Sequence, residues 1–231
     1  MTPGTTSEHP LVLAITGASG AVYAVRLLQC LCDGHVPVHL VISPSAGTVI
    51  QQELALDIGP EQDRVEMLLR YNWPDIATQG QWKPRTGDQV ARDRTYVTFH
   101  HYKDYMTPIA SGSFLTRGMV ICPCSGVTLS GVVHASGNNL IQRAADVHLK
   151  EHRKLILVPR ETPMSVFQLE NMQRAAQAGA VVLPAMPGWY HNVNTVVDLI
   201  DFVVARILDH LAVPNSLMQR WSEPPASGDR D

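Results

Sequence analysis

The sequence predicts a single-domain α/β fold in which a mostly parallel β-sheet carries helices on both faces. Short, continuous apolar runs, typical of strands buried on both faces, alternate along the chain with segments of helical periodicity. Of the 231 residues, 45% are hydrophobic and 17% are charged, which suits one domain with a sizeable core.

Five apolar runs are predicted strands, at residues 11–16, 38–42, 118–122, 155–158 and 180–183. Six periodic segments are predicted helices, at residues 21–32, 44–53, 128–133, 140–152, 165–178 and 195–211. A less regular stretch adds a helix at 60–71 and a short strand at 95–100. This alternation predicts a Rossmann/flavodoxin-like sheet, in which ligands bind at the carboxyl ends of the strands.

Three segments depart from the alternation. Residues 57–106 carry many charges and no clear period, so we interpret them as an excursion on the sheet. Residues 1–10 are polar and are expected to be a flexible N-terminus, and residues 222–231 are expected to form a disordered tail. A single domain is therefore expected over residues 11–221.

Charge and hydropathy indicate which partners and which cellular location to expect. The formal net charge is −3, and there is no basic stripe to displace counterions from nucleic acid or an anionic membrane, so neither partner is expected. The N-terminus has no apolar signal core. Charged residues interrupt the apolar stretch 196–213, which predicts an amphipathic helix and not a membrane span. The protein is expected to be cytoplasmic.

Cysteine and histidine patterns raise the question of a metal site. The four cysteines form two Cys-x-Cys pairs without the two-residue gap of zinc and redox motifs, and we expect them to be reduced and buried. His148, Glu151 and His152 match the H-x-x-E-H pattern of some zinc proteases. Because no third ligand is suggested and Lys150 would repel a cation, no metal is expected.

Two turns at predicted strand ends are suited to bind an anion. Gly17, Ala18, Ser19 and Gly20 follow the first strand, where glycine permits close approach of a ligand and the next helix presents its N-terminal amides. Either a tight turn or an anion site explains this segment. The turn from Ser125 to Thr128 repeats the pattern with two hydroxyls and a glycine. Two such turns in one sheet favour a mononucleotide phosphate with its ring system.

Charged residues near the same sheet edge permit two interpretations. Arg143 and Lys150 are seven residues apart and share one helix face, where they either hold a phosphate or form part of the solvated surface. Arg160 and Glu161 follow the predicted strand 155–158, and they form either an ion pair or a proton-relaying group in a site.

Taken together, these segments resemble the UbiX family of flavin prenyltransferases, within the group of homo-oligomeric flavin-containing cysteine decarboxylases. The resemblance covers nearly the whole chain apart from the excursion and the tail. The most specific segments are Arg143-Ala-Ala-Asp146 and Arg160-Glu-Thr-Pro163. The remaining matching segments begin at Thr16, Ala110, Val120, Asn138, Leu149, Leu169, Gly188 and Asp201.

The resemblance implies a role for each matching position. Those matching FMN contacts are Gly17, Ala18, Ser19, Ser43, Ser125, Gly126, Val127, Thr128 and Arg160. Those matching the residues around dimethylallyl phosphate are Arg143, Lys150, Tyr190, Arg206 and Trp221. The implied catalytic set is Glu161, Glu53, Ser19 and Lys150, with Glu161 as the proton acceptor.

The implied reaction joins the dimethylallyl group to N5 and C6 of reduced FMN and yields prenylated FMN for a UbiD-type decarboxylase. The resemblance also implies a homododecamer whose sites lie between subunits. Two alternatives are an FMN-dependent decarboxylase acting on a peptidyl cysteine and a flavin carrier. The first needs an early catalytic histidine, and neither needs the cage of cations around a phosphate.

Overall fold

The computed structural model describes residues 9–59, 61–71, 92–190 and 193–220. The strands are β1 Leu11–Ile15, β2 Val38–Ile42, β3 Val97–His100, β4 Gly118–Cys124, β5 Leu155–Pro159 and β6 Val181–Val182. The helices are α1 Ala21–Asp33, α2 Pro44–Leu54, α3 Glu61–Leu69, α4 Gly126–Val133, α5 Leu140–Lys150, α6 Val166–Gln177 and α7 Val196–His210.

The six strands form one parallel sheet in the order β3-β2-β1-β4-β5-β6. The chain winds outward from β1 in one direction and, after β3, from β4 in the other. The crevice between the carboxyl ends of β1 and β4 is therefore the topological switch point, where this architecture places its ligands. The predicted doubly wound α/β fold is confirmed.

Alternate residues of the strands face two separate hydrophobic clusters. Leu11, Leu13 and Ile15 of β1 belong to the cluster that includes the inner faces of α1 and α7. Val12 and Ala14 belong to the cluster that includes the inner faces of α4 and α5. The sheet is therefore covered on both sides, which explains why its central strands are continuous apolar runs.

Several predicted boundaries differ from the structure for local reasons. The helix predicted at 128–133 begins at Gly126, because Ser125 serves as its N-cap. The helix predicted at 140–152 ends at Lys150, and His152 has a left-handed φ of 52°. The strand predicted at 95–100 begins at Val97, since Asp93 caps a short 3-10 turn before it.

The described part of the predicted excursion contributes a strand and a helix to the domain. β3 pairs with β2 as an edge strand, and α3 packs through Val65, Leu68 and Leu69 against the α1 side of the core. The buried Gln29 of α1 donates hydrogen bonds to the carbonyl oxygens of Leu68 and Tyr71. Residues 72–91 of the excursion, most of residues 1–10 and the tail 222–231 lie outside the described residues.

Candidate active site at the carboxyl edge of the sheet

The Thr16 hydroxyl joins the two turns that flank the switch point. It donates to the carbonyl oxygen of Pro123 at 2.7 Å and accepts from the backbone amide of Ser125 at 2.8 Å. These bonds cross from the end of β1 to the end of β4. The turn after β1 and the turn after β4 therefore lie side by side, as the sequence predicts.

The turn after β4 opens helix α4 with a hydroxyl pair. Ser125 Oγ accepts from the backbone amide of Thr128 at 3.3 Å and donates to Thr128 Oγ1 at 3.0 Å. Helix geometry leaves the first-turn amides, those of Gly126 and Val127, without intrahelical acceptors. Val127 is an exposed apolar residue at the same turn. This end of α4 therefore offers amides and hydroxyls to an anion.

Gly17 lies in close contact with the first turn of α2. A Cβ at Gly17 would lie 2.5 Å from Ser45 Oγ, so any larger residue would force Ser45 to move. Ser43 is the N-cap of α2: its hydroxyl accepts from the amide of Ala46 at 3.1 Å and lies 3.1 Å from Ser45 Oγ. Pro44 occupies the first helical position, as predicted from the sequence.

The expectation of free amides at the start of α1 is wrong. The Glu53 carboxylate, near the end of α2, accepts from the amide of Gly20 at 3.1 and 2.9 Å and from that of Ala21 at 2.8 Å. A carboxylate is stabilised at a helix N-terminus by the same partial positive charge that would attract a phosphate. The amides of Gly20 and Ala21 are therefore occupied by Glu53, whereas the first-turn amides of α4 have no intrahelical acceptor.

Arg160 directly follows β5 and turns towards the β1 loop. Its Nε donates to the carbonyl oxygen of Ser19 at 3.1 Å. Ser19, Tyr23, Glu53 and Arg160 are the polar members of the lining of a cavity of about 430 Å³. The apolar members include Val22, Ala185, Pro187, Val196, Leu199 and Ile200. This Arg160 cavity thus combines a charged end with an apolar wall.

Glu161 turns the other way, into a second cavity. The Glu161 cavity measures about 690 Å³ and includes the opening turn of α4 in its lining. Glu161 Oε2 accepts from the side-chain amide of Gln168 at 3.0 Å. Arg160 and Glu161 therefore do not form the ion pair that the sequence left open, since each has its own partner on a different side of the β5 end.

Two site residues were missed by the sequence analysis. Tyr23 lies beside Gly20 in the Arg160 cavity, and burial, with a smaller effect from Cys122, raises the pKa of its phenol while Arg160 opposes the rise. Gln168 contacts Glu161. The signal for Tyr23 is its position one turn into α1. Gln168 has the capping-box spacing, three residues after Ser165.

The predicted phosphate-binding residues form two groups on opposite faces of the sheet. On the α5 side, Arg143 donates to the carbonyl oxygen of Ala110 at 3.1 Å and pairs with Asp146, while Lys150 pairs with Glu151 at 3.0 Å. α5 packs into one core cluster, and α7, which carries Arg206, packs into the other.

On the α7 side, Arg206 pairs with Asp209 at 2.9 Å and its side chain is 46% exposed. The Tyr190 ring packs edge-on against Phe202, with ring centroids 5.7 Å apart. Phe202 lies one helical turn before Arg206, so Tyr190 and Arg206 share a stretch of surface. One chain therefore does not bring the four residues together. Trp221 lies outside the described residues.

The H-x-x-E-H pattern begins at His148, and the contacts of this residue support a structural role. His148 Nδ1 lies 2.7 Å from the carbonyl oxygen of Ala144, and Nε2 lies 2.8 Å from Thr116 Oγ1. Both ring nitrogens are thus engaged, and burial lowers the pKa of His148 to about 4. Within the described ranges no three His, Cys, Asp or Glu side chains are grouped as metal ligands.

Comparison with known proteins gives the family. The model of the Flavoprotein family matches residues 2–208. The flavin prenyltransferase UbiX of Alkalihalophilus pseudofirmus is 44% identical over 216 residues, which are 94% of this chain and 98% of the relative. That of Pseudomonas aeruginosa is 45% identical over 213 residues, 92% of this chain and 94% of the relative. The chain belongs to the UbiX family of flavin prenyltransferases.

Solved structures support the same family. AnUbiX (PadA1), determined in complex with FMN and dimethylallyl pyrophosphate, has a TM-score of 0.76 and 33% identity, covering 94% of this chain and 98% of that one. A dodecameric FMN-dependent UbiX-like decarboxylase of Escherichia coli O157:H7 has a TM-score of 0.74 and 36% identity, covering 93% of this chain and 100% of that one. The FMN-dependent cysteine decarboxylase TvaF shares only the fold, at 15% identity and a TM-score of 0.53.

Family membership confirms the resemblance read from the sequence and identifies the chain as a flavin prenyltransferase. Within this UbiX chain, no helix in the part that the structure describes is long and apolar enough to cross a membrane. The residues at the switch point are also chemically suited to FMN. The α4 turn supplies donors for a phosphate and lines the Glu161 cavity, and the Arg160 cavity lies beside the β1 turn.

Proposed function

We propose that this UbiX chain transfers a dimethylallyl group from dimethylallyl phosphate to N5 and then C6 of reduced FMN, releasing inorganic phosphate. The observation that carries the proposal is the arrangement at the carboxyl edge. The phosphate-ready turn of α4 lies beside the β1 turn, and Arg160 and Glu161 diverge from the same strand end into two cavities.

The proposed FMN contacts are assigned to the two turns. Hydroxyls of Ser125 and Thr128 and amides of Gly126 and Val127 bind the phosphate, and Ser43 adds a buried hydroxyl nearby. Gly17, Ala18 and Ser19 line the edge of the flavin, and Arg160 holds a polar edge of the ring. FMN supplies the nucleophilic ring atoms, while the chain orients the reactants and excludes water.

The dimethylallyl phosphate is proposed to bind between subunits. Arg143 and Lys150 lie on one face of the sheet, and Tyr190 and Arg206 lie on the other. A neighbouring subunit must therefore supply part of each dimethylallyl phosphate site. Such an arrangement fits a homododecamer, the state described for the similar E. coli structure. The cations, with Lys150 as the catalytic member, stabilise the charge that develops on the departing phosphate. Trp221 is assigned to the same site.

Formation of the second bond, at C6, closes a fourth ring: the double bond of the dimethylallyl group takes up a proton from the released phosphate, C6 attacks the resulting cation, and C6 then loses its own proton. We assign removal of this last proton to the Glu161 carboxylate, which is fixed at one oxygen by Gln168. Glu53 is assigned to the reacting centre because it lines the Arg160 cavity with Ser19. Its hydrogen bonds to Gly20 and Ala21 favour a role in fixing the loop that carries Ser19.

The product is proposed to serve a UbiD-type decarboxylase in the cytoplasm, in either quinone synthesis or aromatic-acid breakdown. The support for this use is membership of the UbiX family.

The test is anaerobic addition of dimethylallyl phosphate to the protein with reduced FMN while the flavin spectrum is recorded. A flavin prenyltransferase changes the spectrum and releases one phosphate for each flavin. A flavin carrier leaves the spectrum unchanged, and a cysteine decarboxylase instead releases carbon dioxide from a peptide with a C-terminal cysteine. Either of the last two results would overturn the proposal.

A further inference from the structure

Both ends of the Gln168 side-chain amide are occupied. The oxygen Oε1 accepts from the backbone amide of Ser165 at 2.7 Å, and the nitrogen Nε2 donates to Glu161 Oε2 at 3.0 Å. In return, Ser165 Oγ accepts from the backbone amide of Gln168 at 3.3 Å, which completes a capping box at the start of α6. The side chain therefore links the helix cap to Glu161.

The chemistry of the capping box shows why an amide matters at this position. A capping box accepts either Glu or Gln at its third residue, because only an acceptor for the N-cap amide is needed. Glutamate would satisfy the cap of α6 equally well but has no donor for Glu161. The glutamine nitrogen is thus the part of Gln168 that the cap does not use.

Gln168 also lies against the turn assigned to the FMN phosphate. A Cβ at Gly126 would be 3.0 Å from Gln168 Nε2, so the amide packs directly on the first residue of α4. Among the described residues that line the Glu161 cavity, Glu161 is the one charged side chain, since Arg160 points to Ser19. A neutral donor, and not a cation, therefore holds this carboxylate.

We infer that Gln168 is a positioning residue for Glu161: its amide fixes Oε2, keeps the carboxylate beside the α4 turn and leaves Oε1 to take up the proton. The inference rests on the proposed role of Glu161 as proton acceptor. A neutral donor suits that role because it orients the ionised carboxylate without adding a positive charge that would weaken it as a base.

The experiment compares Gln168→Glu with Ser165→Ala. Gln168→Glu retains the acceptor for the helix cap but replaces the donor to Glu161 with a second carboxylate. Ser165→Ala removes the hydroxyl cap of α6 and retains the Gln168–Glu161 bond. Thermal unfolding and FMN binding are measured for both variants, to separate loss of the helix cap from loss of positioning.

The decisive readouts are the rate of ring closure against pH and the titration of Glu161 itself. The titration is recorded as an infrared difference spectrum in which the matching spectrum of a Glu161→Gln protein is subtracted. Like charges disfavour ionisation, so Gln168→Glu should move both midpoints upward by about one pH unit or more. Ring closure at neutral pH should fall about tenfold or more, because the Glu161 carboxylate loses the donor that holds it in place, while Ser165→Ala should retain the wild-type midpoints.

Equal midpoints in wild type and Gln168→Glu would overturn the inference, as would the same shift in Ser165→Ala. In a Glu161→Gln background, Gln168→Glu should have no further effect on ring closure, and an undiminished effect there would also contradict it. If the wild-type protein makes no prenylated flavin but Gln168→Glu still shifts the titration of Glu161, the positioning role is retained and the proposed function is rejected instead.

Discussion

Glu53 accepts hydrogen bonds from the backbone amide of Gly20 through both carboxylate oxygens, at 3.1 and 2.9 Å. A third bond, from Ala21 at 2.8 Å, completes a cap that α2 provides for α1. The cap holds the left-handed Gly20, with φ of 109°, at the edge of the Arg160 cavity. A residue expected to act at the reacting centre therefore also supports the loop that forms it.

Glu53→Ala is predicted to destabilise the protein by about 1–2 kcal/mol, the usual effect of losing a helix N-cap and the anion at a helix N-terminus. Glu53→Gln retains an acceptor oxygen and should therefore lose less stability than Glu53→Ala. Urea unfolding of the two variants measures the difference. Equal stability of Glu53→Ala and wild type would show that the cap contributes nothing to folding.

His148 predicts a pH dependence of stability. Burial lowers its pKa from about 6.5, the value expected in the unfolded chain, to about 4. The unfolded chain therefore binds more protons between these values, and the stability present above pH 6.5 is lost as the pH falls towards 4. The slope reaches about 1.4 kcal/mol per pH unit for one such group.

His148→Gln should flatten that part of the stability curve, measured as the free energy of unfolding from pH 7 to pH 4. The exposed His101, replaced in the same way, is the matched control. An unchanged slope in His148→Gln would assign the acid sensitivity to other groups, such as the His39–His100 pair.

The residues proposed to bind dimethylallyl phosphate should be needed for use of that substrate but not for FMN binding. Arg206→Ala or Lys150→Ala should leave FMN binding near normal, because neither residue lines the two cavities at the switch point. Use of dimethylallyl phosphate should fall by orders of magnitude, since each charge-assisted contact in a dry site contributes about 1.5–3 kcal/mol. Steady-state kinetics measure the use of dimethylallyl phosphate, and titration with FMN measures flavin binding. Wild-type turnover in either variant would show that the replaced residue does not take part in the mechanism.

The separation of the cage residues onto opposite faces predicts complementation between subunits. Arg143→Ala and Arg206→Ala oligomers should each be inactive, yet mixing them under conditions of subunit exchange should restore part of the activity. Some sites in a mixed oligomer then combine an intact Arg143 with an intact Arg206. Absence of any recovery, with exchange verified by mass spectrometry, would place both residues of each site on one chain.

Much of the fold follows from local sequence patterns. Strands such as β1 and β5 are continuous apolar runs because helices cover both sides of the sheet, and Ser43 before Pro44 marks the start of α2. The side-by-side position of the two turns also follows, because parallel strands end at one edge.

Other features depend on tertiary contacts that spacing cannot reveal. Glu53 reaches Gly20 across 33 positions in sequence, so the loss of the α1 amides as an anion site was not foreseeable. Arg160 and Glu161 are adjacent in an extended segment, where successive side chains point to opposite sides. Sequence analysis places both at the strand end but cannot assign each to its cavity.

The most direct measurement of the central claim is the mass and absorption spectrum of the flavin released by denaturation after anaerobic reaction with dimethylallyl phosphate. Wild type should yield FMN enlarged by one C5H8 unit with the spectrum of a four-ring product. Glu161→Gln should accumulate a singly alkylated flavin, because bond formation at N5 needs departure of phosphate but no base. This flavin has the same mass as the four-ring product, so the absorption spectrum distinguishes the two. Unmodified FMN from wild type would contradict the proposed reaction, and normal four-ring product from Glu161→Gln would leave the released phosphate as the base.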